Sequence, residues 1–421
     1  MTLPDPMQRR NRRLAGIAVA SLLLASLATD AAWASTSRAL ASTCAVSPSS
    51  GLPGAAVVIS GTGWRRNATV NLSFVQLGVV TALAGATADR RGIFSGSVSV
   101  PENARATAAS FVVKGRRRST QDASCSVAFA VLPIPTAAWG VDAYSAPTGA
   151  IDTLETDMGR PFAAWAGYRR IDDASTYLHF IAAPMSRDAL VYLNINNYSL
   201  DPTTGAHVPY CWSSVSNGSE DTMIDAWAQV ILASAYMDKT IITFDHEPDV
   251  DSANQPKCTT DTPSAYQAAF DYFTKRLRSD GVTSRFAFVP TVRVYSNGLA
   301  SSYLPPAGDF QLIGADIYNN VNDPTKANYR TVPQAFDPLY NWVAANEPGM
   351  PLVIGELGEV QDDPNAPQWI GDAIASMKSH GNLLFVNWNV VDTVTNYYSP
   401  LLRSDTYQVW LAGAADPYFS G

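Results

Sequence analysis

From residue 137 onward, short apolar runs alternate with stretches whose apolar positions recur every three or four residues. The runs predict eight strands, at 139–143, 163–166, 190–195, 241–244, 286–289, 312–315, 352–354 and 384–386. The periodic stretches predict amphipathic helices at 221–236, 264–279, 333–345 and 368–379. Between 295 and 308 the connection is irregular. Eight alternations point to an α/β fold, a (β/α)8 TIM barrel over 137–421. An open doubly wound sheet is the alternative. However, Gly140-Val141-Asp142-Ala143-Tyr144 lacks the glycine-rich phosphate turn expected after its first strand.

Residues 42–133 have another rhythm. Short β-rich runs at 57–60, 69–74, 93–98, 110–113 and 126–131 are punctuated by Gly, Pro and Asn, which predicts an all-β sandwich. Leu132-Pro133-Ile134-Pro135 reads as a short stiff linker. At the start, Arg9, Arg10, Arg12 and Arg13 precede an apolar stretch over 14–28, and Ala32-Trp33-Ala34 fits a small-x-small cleavage rule. Residues 1–34 are therefore expected to be a signal peptide, cut after Ala34, with Ala39-Leu40-Ala41 as a second candidate cut. No later run has eighteen unbroken apolar residues, so no membrane span is expected after cleavage. The expectation is a secreted or cell-surface protein.

The 421 residues exceed one ordinary domain and suit two. With 47% apolar and 16% charged residues, the chain can build a core. Its net charge of −8 argues against nucleic acid as a partner. The charge is uneven: residues 35–133 carry ten Lys and Arg against three acids, leaving −17 on 134–421. A basic small domain on an acidic large one suits contact with an anionic cell-wall polymer, although a solvated surface that keeps the chain soluble is the simpler explanation. A monomer is expected.

The four histidines, His179, His207, His246 and His380, form no HExxH or HxH pattern. Neither a metal nor a cofactor is expected, and a metal-dependent barrel hydrolase is disfavoured. Cys44, Cys125, Cys211 and Cys258 allow three pairings. The domain split favours Cys44–Cys125 and Cys211–Cys258, since each bond then closes within one domain.

In a barrel of this kind, reactive side chains come from the C-terminal ends of the strands. The predicted ends carry Asp142, Tyr144, Asn194, Asn196, Asp245, His246, Glu247, Arg293, Asp316, Tyr318, Glu356, Trp388 and Asn389. Strict alternation would put Glu247 in the interior with Thr243 and Asp245, and Glu356 with Leu352 and Ile354. Two opposed carboxyls suit glycoside cleavage: one protonates the leaving oxygen, the other attacks the anomeric carbon or activates water.

A strand-four Glu247 with a strand-seven Glu356 resembles the pattern of clan A retaining glycosidases. His246-Glu247, Gly314-Ala315-Asp316-Ile317-Tyr318-Asn319 and Val386-Asn387-Trp388-Asn389 resemble glycoside hydrolase family 26, the β-mannanase family. The resemblance covers most of 137–421 and implies a β-linked polysaccharide substrate. It implies Glu247 as general acid/base, Glu356 as nucleophile, and Tyr318 hydrogen-bonded to Glu356. It also implies that His246 positions Glu247 or the sugar, and that Trp388 floors the subsite of the attacked ring. Asn196 and Asp142 join these as candidate substrate contacts, with Trp165, Trp212 and Tyr303 as candidate outer platforms. Upstream, residues 47–54 and Ile59-Ser60-Gly61-Thr62-Gly63-Trp64 resemble bacterial immunoglobulin-like modules.

One segment departs from the family. Glu247 is followed by Pro248-Asp249-Val250-Asp251 and a loop through Cys258, where Met-Asn-Gly and an aromatic platform are usual. Two other readings stay open. One is a substrate-assisted chitinase using Asp245-x-Glu247, although its preceding Asp-Gly-x-x-Asp pattern is missing. The other is an inactive sugar-binding surface protein.

Overall fold

The computed structural model describes residues 42–117, 121–142, 148–321, 324–325, 328–390, 399–400 and 403–421. The expected signal peptide, Ala143 and Tyr144 lie outside these residues. Among them, no helix is long and apolar enough to cross a membrane.

The N-terminal part consists of nine short strands: β1 Thr43–Ser47, β2 Ser50–Gly51, β3 Ala56–Thr62, β4 Thr69–Gln76, β5 Val79–Ala82, β6 Ala86–Thr87, β7 Phe94–Ser99, β8 Ala108–Arg116 and β9 Asp122–Val131. They form one sheet of order β1-β3-β7 and another of order β2-β9-β8-β4-β5, with β6 on β4. Burial alternates along β3 and β4, so each strand turns one face inward. Ile59, Trp64, Leu72, Phe94, Phe111 and Phe129 share that interior. Cys44 on β1 is bonded to Cys125 on β9, which ties the two sheets together. β1 and β5 were not foreseen: β1 has no fully buried position and β5 exposes Val79 and Val80, so neither carries a strong apolar run.

The remainder is a closed parallel barrel of eight strands, with helices in the connections. Its strands are β10 Ala138–Asp142, β11 Ala164–Arg170, β12 Leu190–Asn196, β15 Thr240–Phe244, β16 Arg285–Phe288, β17 Leu312–Asn319, β18 Leu352–Glu359 and β19 Leu383–Asn389. A hairpin of β13 Tyr198–Leu200 and β14 His207–Pro209 follows β12. All eight expected barrel strands form, because each is buried on both faces and reads as a continuous apolar run. The foreseen helices are Asp221–Ala233, Pro263–Ser279, Val332–Asn346 and Ala366–His380. Three of the four have Pro in the first turn, where a missing N–H costs nothing.

The barrel has two apolar layers. Ala138, Ala164, Tyr192, Ile241, Val353 and Phe385 fill the interior. A larger layer lies between strands and helices and includes Trp139, Phe244, Phe273, Ile354, Trp388 and Trp410. The two-sheet part meets the barrel through Arg105–Glu347 at 2.7 Å, Ala106 N–H to the Gly349 carbonyl at 2.8 Å, and Ile134 N–H to Asn382 Oδ1 at 3.1 Å. Glu347, Gly349 and Asn382 precede β18 and β19, so this contact is at the N-terminal end of the barrel.

Candidate active site

The chain leaves β15 through two left-handed residues, Asp245 at φ 45° and Glu247 at φ 51°. This conformation is uncommon for residues with a side chain, and functional sites concentrate it. Main-chain bonds hold the turn on both sides: Asp245 N–H donates to the Ile195 carbonyl at 2.9 Å, and Glu247 N–H to that of Val289 at 3.0 Å. The left-handed steps break the expected alternation. Asp245 turns behind the mouth, where Trp212 Nε1 donates to its Oδ2 at 2.6 Å and Lys257 Nζ lies 2.7 Å from the same oxygen. It is therefore not a partner for Glu247, as a D-x-E arrangement would require. The structure instead directs His246 into the site.

Glu356 also arrives by a different route than alternation predicts. Leu352 and Ile354 pack in the outer layer, whereas Val353 is interior. The β17–β18 register then slips, pairing Ala315 with Ile354 and Asp316 with Glu356, so Gly355 is the extra residue of a bulge. Gly355 has no room for a side chain: an added Cβ would sit 2.3 Å from Asp316 Oδ1 and 3.0 Å from the Tyr192 hydroxyl. The bulge re-aims Glu356 toward the barrel mouth.

There Glu356 is held on both oxygens. Tyr168 donates its hydroxyl to Oε1 at 2.5 Å, and Tyr318 donates to Oε2 at 2.7 Å. His246 Nε2 is 3.3 Å from Oε1. Asn389 Nδ2 in turn donates to the Tyr318 hydroxyl at 3.0 Å. His246 Nδ1 donates to Asn196 Oδ1 at 2.9 Å, and the Gln255 amide lies 3.1 Å from Nε2.

These contacts separate the two carboxyls electrostatically. Burial would raise the proton affinity of Glu356, but bonding from His246, then Tyr168 and Tyr318, holds it below the ordinary carboxylate range. For Glu247, burial and then the Glu356 charge push the pKa up to about 7. Burial lowers the proton affinity of His246, yet its hydrogen bond and charge pairing with Glu356 raise it overall. Burial and the charges of Glu356 and Glu247 keep Asp316 well above the usual carboxylate range, and among the described residues neither of its oxygens has a hydrogen-bond partner.

Two clefts meet at this network. One of about 480 Å³ is lined by Glu247, Arg293, Asp316, Tyr318, Tyr329 and Arg330, among others. The other, of about 420 Å³, is lined by Asp142, Tyr168, Asn196, His246, Gln255 and Glu356, among others. Asp142 and Asn196 thus reach the mouth. Trp388 does not: it is buried against Trp139, ring centroids 5.2 Å apart, in the outer layer. Phe385 is interior, so period two turns Val386 and Trp388 outward. Trp165 and Trp212 are likewise buried in the outer layer, and Tyr303 packs against Tyr266.

Sequence reasoning missed Tyr168 because it ended the second barrel strand at 166, and β11 runs on to Arg170. The aromatic-charged run Tyr168-Arg169-Arg170 was the available signal. Gln255 lies in the loop that follows Glu247, bonded to Cys211 through Cys258. For a metal, the candidate group among the described residues is His246, Asp316 and Glu356, with one ligand atom from each within 4.8 Å of the others. Both Glu356 oxygens already accept tyrosine hydroxyls, and burial and neighbouring charge raise the proton affinity of Asp316, so the set fits a cation poorly.

No model of a known protein family and no curated protein matches the sequence. Among solved structures, the chain is similar to a GH26 β-mannanase from Bacteroides ovatus, with TM-score 0.50 and 16% identity over 68% of this chain and 90% of that one. It is also similar to a GH5-4 broad-specificity endoglucanase from an uncultured bacterium, with TM-score 0.47 and 13% identity over 68% and 94% of the two chains. A third similarity is to a Prevotella bryantii endo-β-mannanase/endo-β-glucanase, with TM-score 0.48 and 12% identity over 68% and 44%. The structural neighbours are thus GH26 and GH5 glycoside hydrolases at low sequence identity, and the first of them shares with this chain the fold of an eight-stranded parallel barrel.

Proposed function

We propose that the chain is a retaining endo-β-glycosidase that cleaves a β-linked polysaccharide by double displacement. The observation that carries this is the split between the two carboxyls. Two tyrosine hydroxyls and His246 hold Glu356 below the ordinary carboxylate range, while burial and the Glu356 charge push the pKa of Glu247 up to about 7. An acid and a nucleophile need these opposite states.

Glu247 protonates the leaving oxygen as Glu356 attacks the anomeric carbon, giving a glycosyl ester on Glu356. Glu247, now a carboxylate, takes a proton from water, and that water releases the sugar with its configuration kept. Tyr168 and Tyr318 fix the attacking oxygens, and His246 links Glu356 to Asn196. Asp142 and Asn196 contact the sugar on the Glu356 side. No cofactor enters the scheme.

The Bacteroides ovatus neighbour is described as a β-mannanase, which makes β-mannan the first neutral backbone to assay. The remaining parts of the proposal follow from the sequence: export behind a signal peptide at 1–34, an immunoglobulin-like module over 42–133, the catalytic barrel over 137–421, and a monomer. The basic module is proposed to touch an anionic wall polymer.

The test is anomer-resolved NMR of the earliest product, beside Glu356→Ala with azide. Retained configuration and an azide-rescued variant support the mechanism. Inverted product, or a Glu356→Ala variant as active as wild type, overturns it.

A further inference from the structure

Two cationic side chains stand in the Glu247 cleft without a partner among the described residues. Arg293 is on the short helix Val292–Ser296 after the fifth barrel strand, and Arg330 comes just before the helix Val332–Asn346. Arg330 is fixed through its main chain: its N–H donates to Asn319 Oδ1 at 3.0 Å, and its carbonyl accepts from Trp369 Nε1 at 2.9 Å. Among the described residues, neither guanidinium has a hydrogen-bond or ion-pair partner. Three arginines elsewhere in the barrel are paired. Arg187 meets Asp152 and Glu155, Arg276 meets Asp225, and Arg403 meets Asp405.

The two charges also repel each other, since burial and then Arg293 lower the proton affinity of Arg330. Among the described residues no ion pair joins either guanidinium to the acids nearby: burial and neighbouring charge raise the proton affinity of Glu247 and Asp316, and Asp249 accepts from the Thr291 N–H and hydroxyl instead. Unpaired guanidinia in a polar cleft match a planar carboxylate, which takes two parallel N–H bonds from one fork. The surrounding charge narrows the choice. Residues 134–421 carry −17, and such a surface repels a chain charged at every sugar within a Debye length of about 8–10 Å. A mostly neutral chain with charges at intervals meets the pair without that repulsion.

We infer that the substrate is a largely neutral β-glycan bearing uronic acid residues, one of whose carboxylates Arg293 and Arg330 bind on the leaving-group side of the scissile bond. The side follows from Glu247, the proposed acid, which lines the same cleft, whereas Glu356 and His246 line the other. This rests on the glycosidase reading for the direction of the cleft.

The full chain carrying Glu356→Ala serves as the binding probe. It is run by affinity electrophoresis through glucuronoxylan and xanthan, each native and after carbodiimide–borohydride reduction of the carboxyls. At least about ten-fold stronger retention is expected on a native polymer than on its reduced form. Adding Arg293→Gln and Arg330→Gln should abolish the difference. Arg330 is half-buried, so Arg293→Gln alone, at an exposed position, is the second variant and should lose most of the preference. Equal retention on native and reduced polymers, no retention on any of the four, or a preference that survives loss of both arginines overturns the inference. Turnover by the wild type separates the two readings. A native preference in binding with no product sinks the glycosidase reading and leaves the carboxylate site standing. Equal turnover of native and reduced forms sinks the carboxylate site and leaves the glycosidase.

Discussion

The negative charge of Glu356 bears directly on the proton of Glu247, adding to burial to carry its pKa to about 7. Glu356→Gln keeps the shape and removes the charge. In that variant Glu247 is expected to titrate clearly below its wild-type midpoint, followed by 13C-carboxyl NMR. An unchanged midpoint would show that the two groups do not sense each other.

The same pair sets a pH profile. The acid must be protonated, so kcat/KM is expected to fall as pH rises through about 7. The nucleophile must be anionic, and Glu356 is held below the ordinary range, so the acidic limb lies at low pH. Rates measured from pH 3 to 9 check this, and a profile still rising above pH 8 contradicts the assignment of Glu247.

Tyr168 and Tyr318 each give one hydrogen bond to a charged oxygen. Bonds of this kind are worth about 1.5–3 kcal/mol. Tyr168→Phe and Tyr318→Phe are each expected to lower kcat by roughly 10–100-fold, while KM changes little. A change confined to KM would make them sugar contacts instead.

Glu359 lies at the end of β18, nearly inaccessible, accepting from Asn319 Nδ2 at 3.1 Å. Burial, and then the neighbouring carboxyl of Asp363, raise its pKa from 4.5 to about 10. A group with a raised folded pKa stabilises fully below its unfolded value, and the benefit is lost as pH rises through the folded value. Glu359→Gln removes this dependence. Its Tm is expected to exceed wild type by a few degrees at pH 8 and to converge with it near pH 4. A constant difference across that window rules out the titration.

Trp388 belongs to the outer layer with Trp139. Trp388→Ala is expected to cost about 3–5 kcal/mol of stability, read by denaturant unfolding. KM of the folded fraction should remain near wild type. A large KM change at unchanged stability would return Trp388 to the site.

The barrel was legible because apolar runs separated by amphipathic stretches have few other three-dimensional solutions. The aim of single side chains was less so. Glu356 faces the mouth, but through the extra residue Gly355 and not by counting in twos from Ile354. Bulges leave no mark in a hydropathy pattern, since they depend on how neighbouring strands pair. Asp245 shows the same limit: two left-handed residues turn it toward Lys257 and Trp212. Trp388 was misplaced because an aromatic at a strand end suits a sugar face and a helix-packed wall equally, and only the phase set by Phe385 decides. The disulfide pairs follow the domain split, since each links cysteines within one part of the chain.

The two-sheet part grips the barrel at Glu347, Gly349 and Asn382, at the pole opposite Glu247 and Glu356. Handle and working face are thereby kept apart. If the proposed wall contact is made by the two-sheet part, the groove turns outward, and a stiff fibre can slide across the open pole without meeting the mooring.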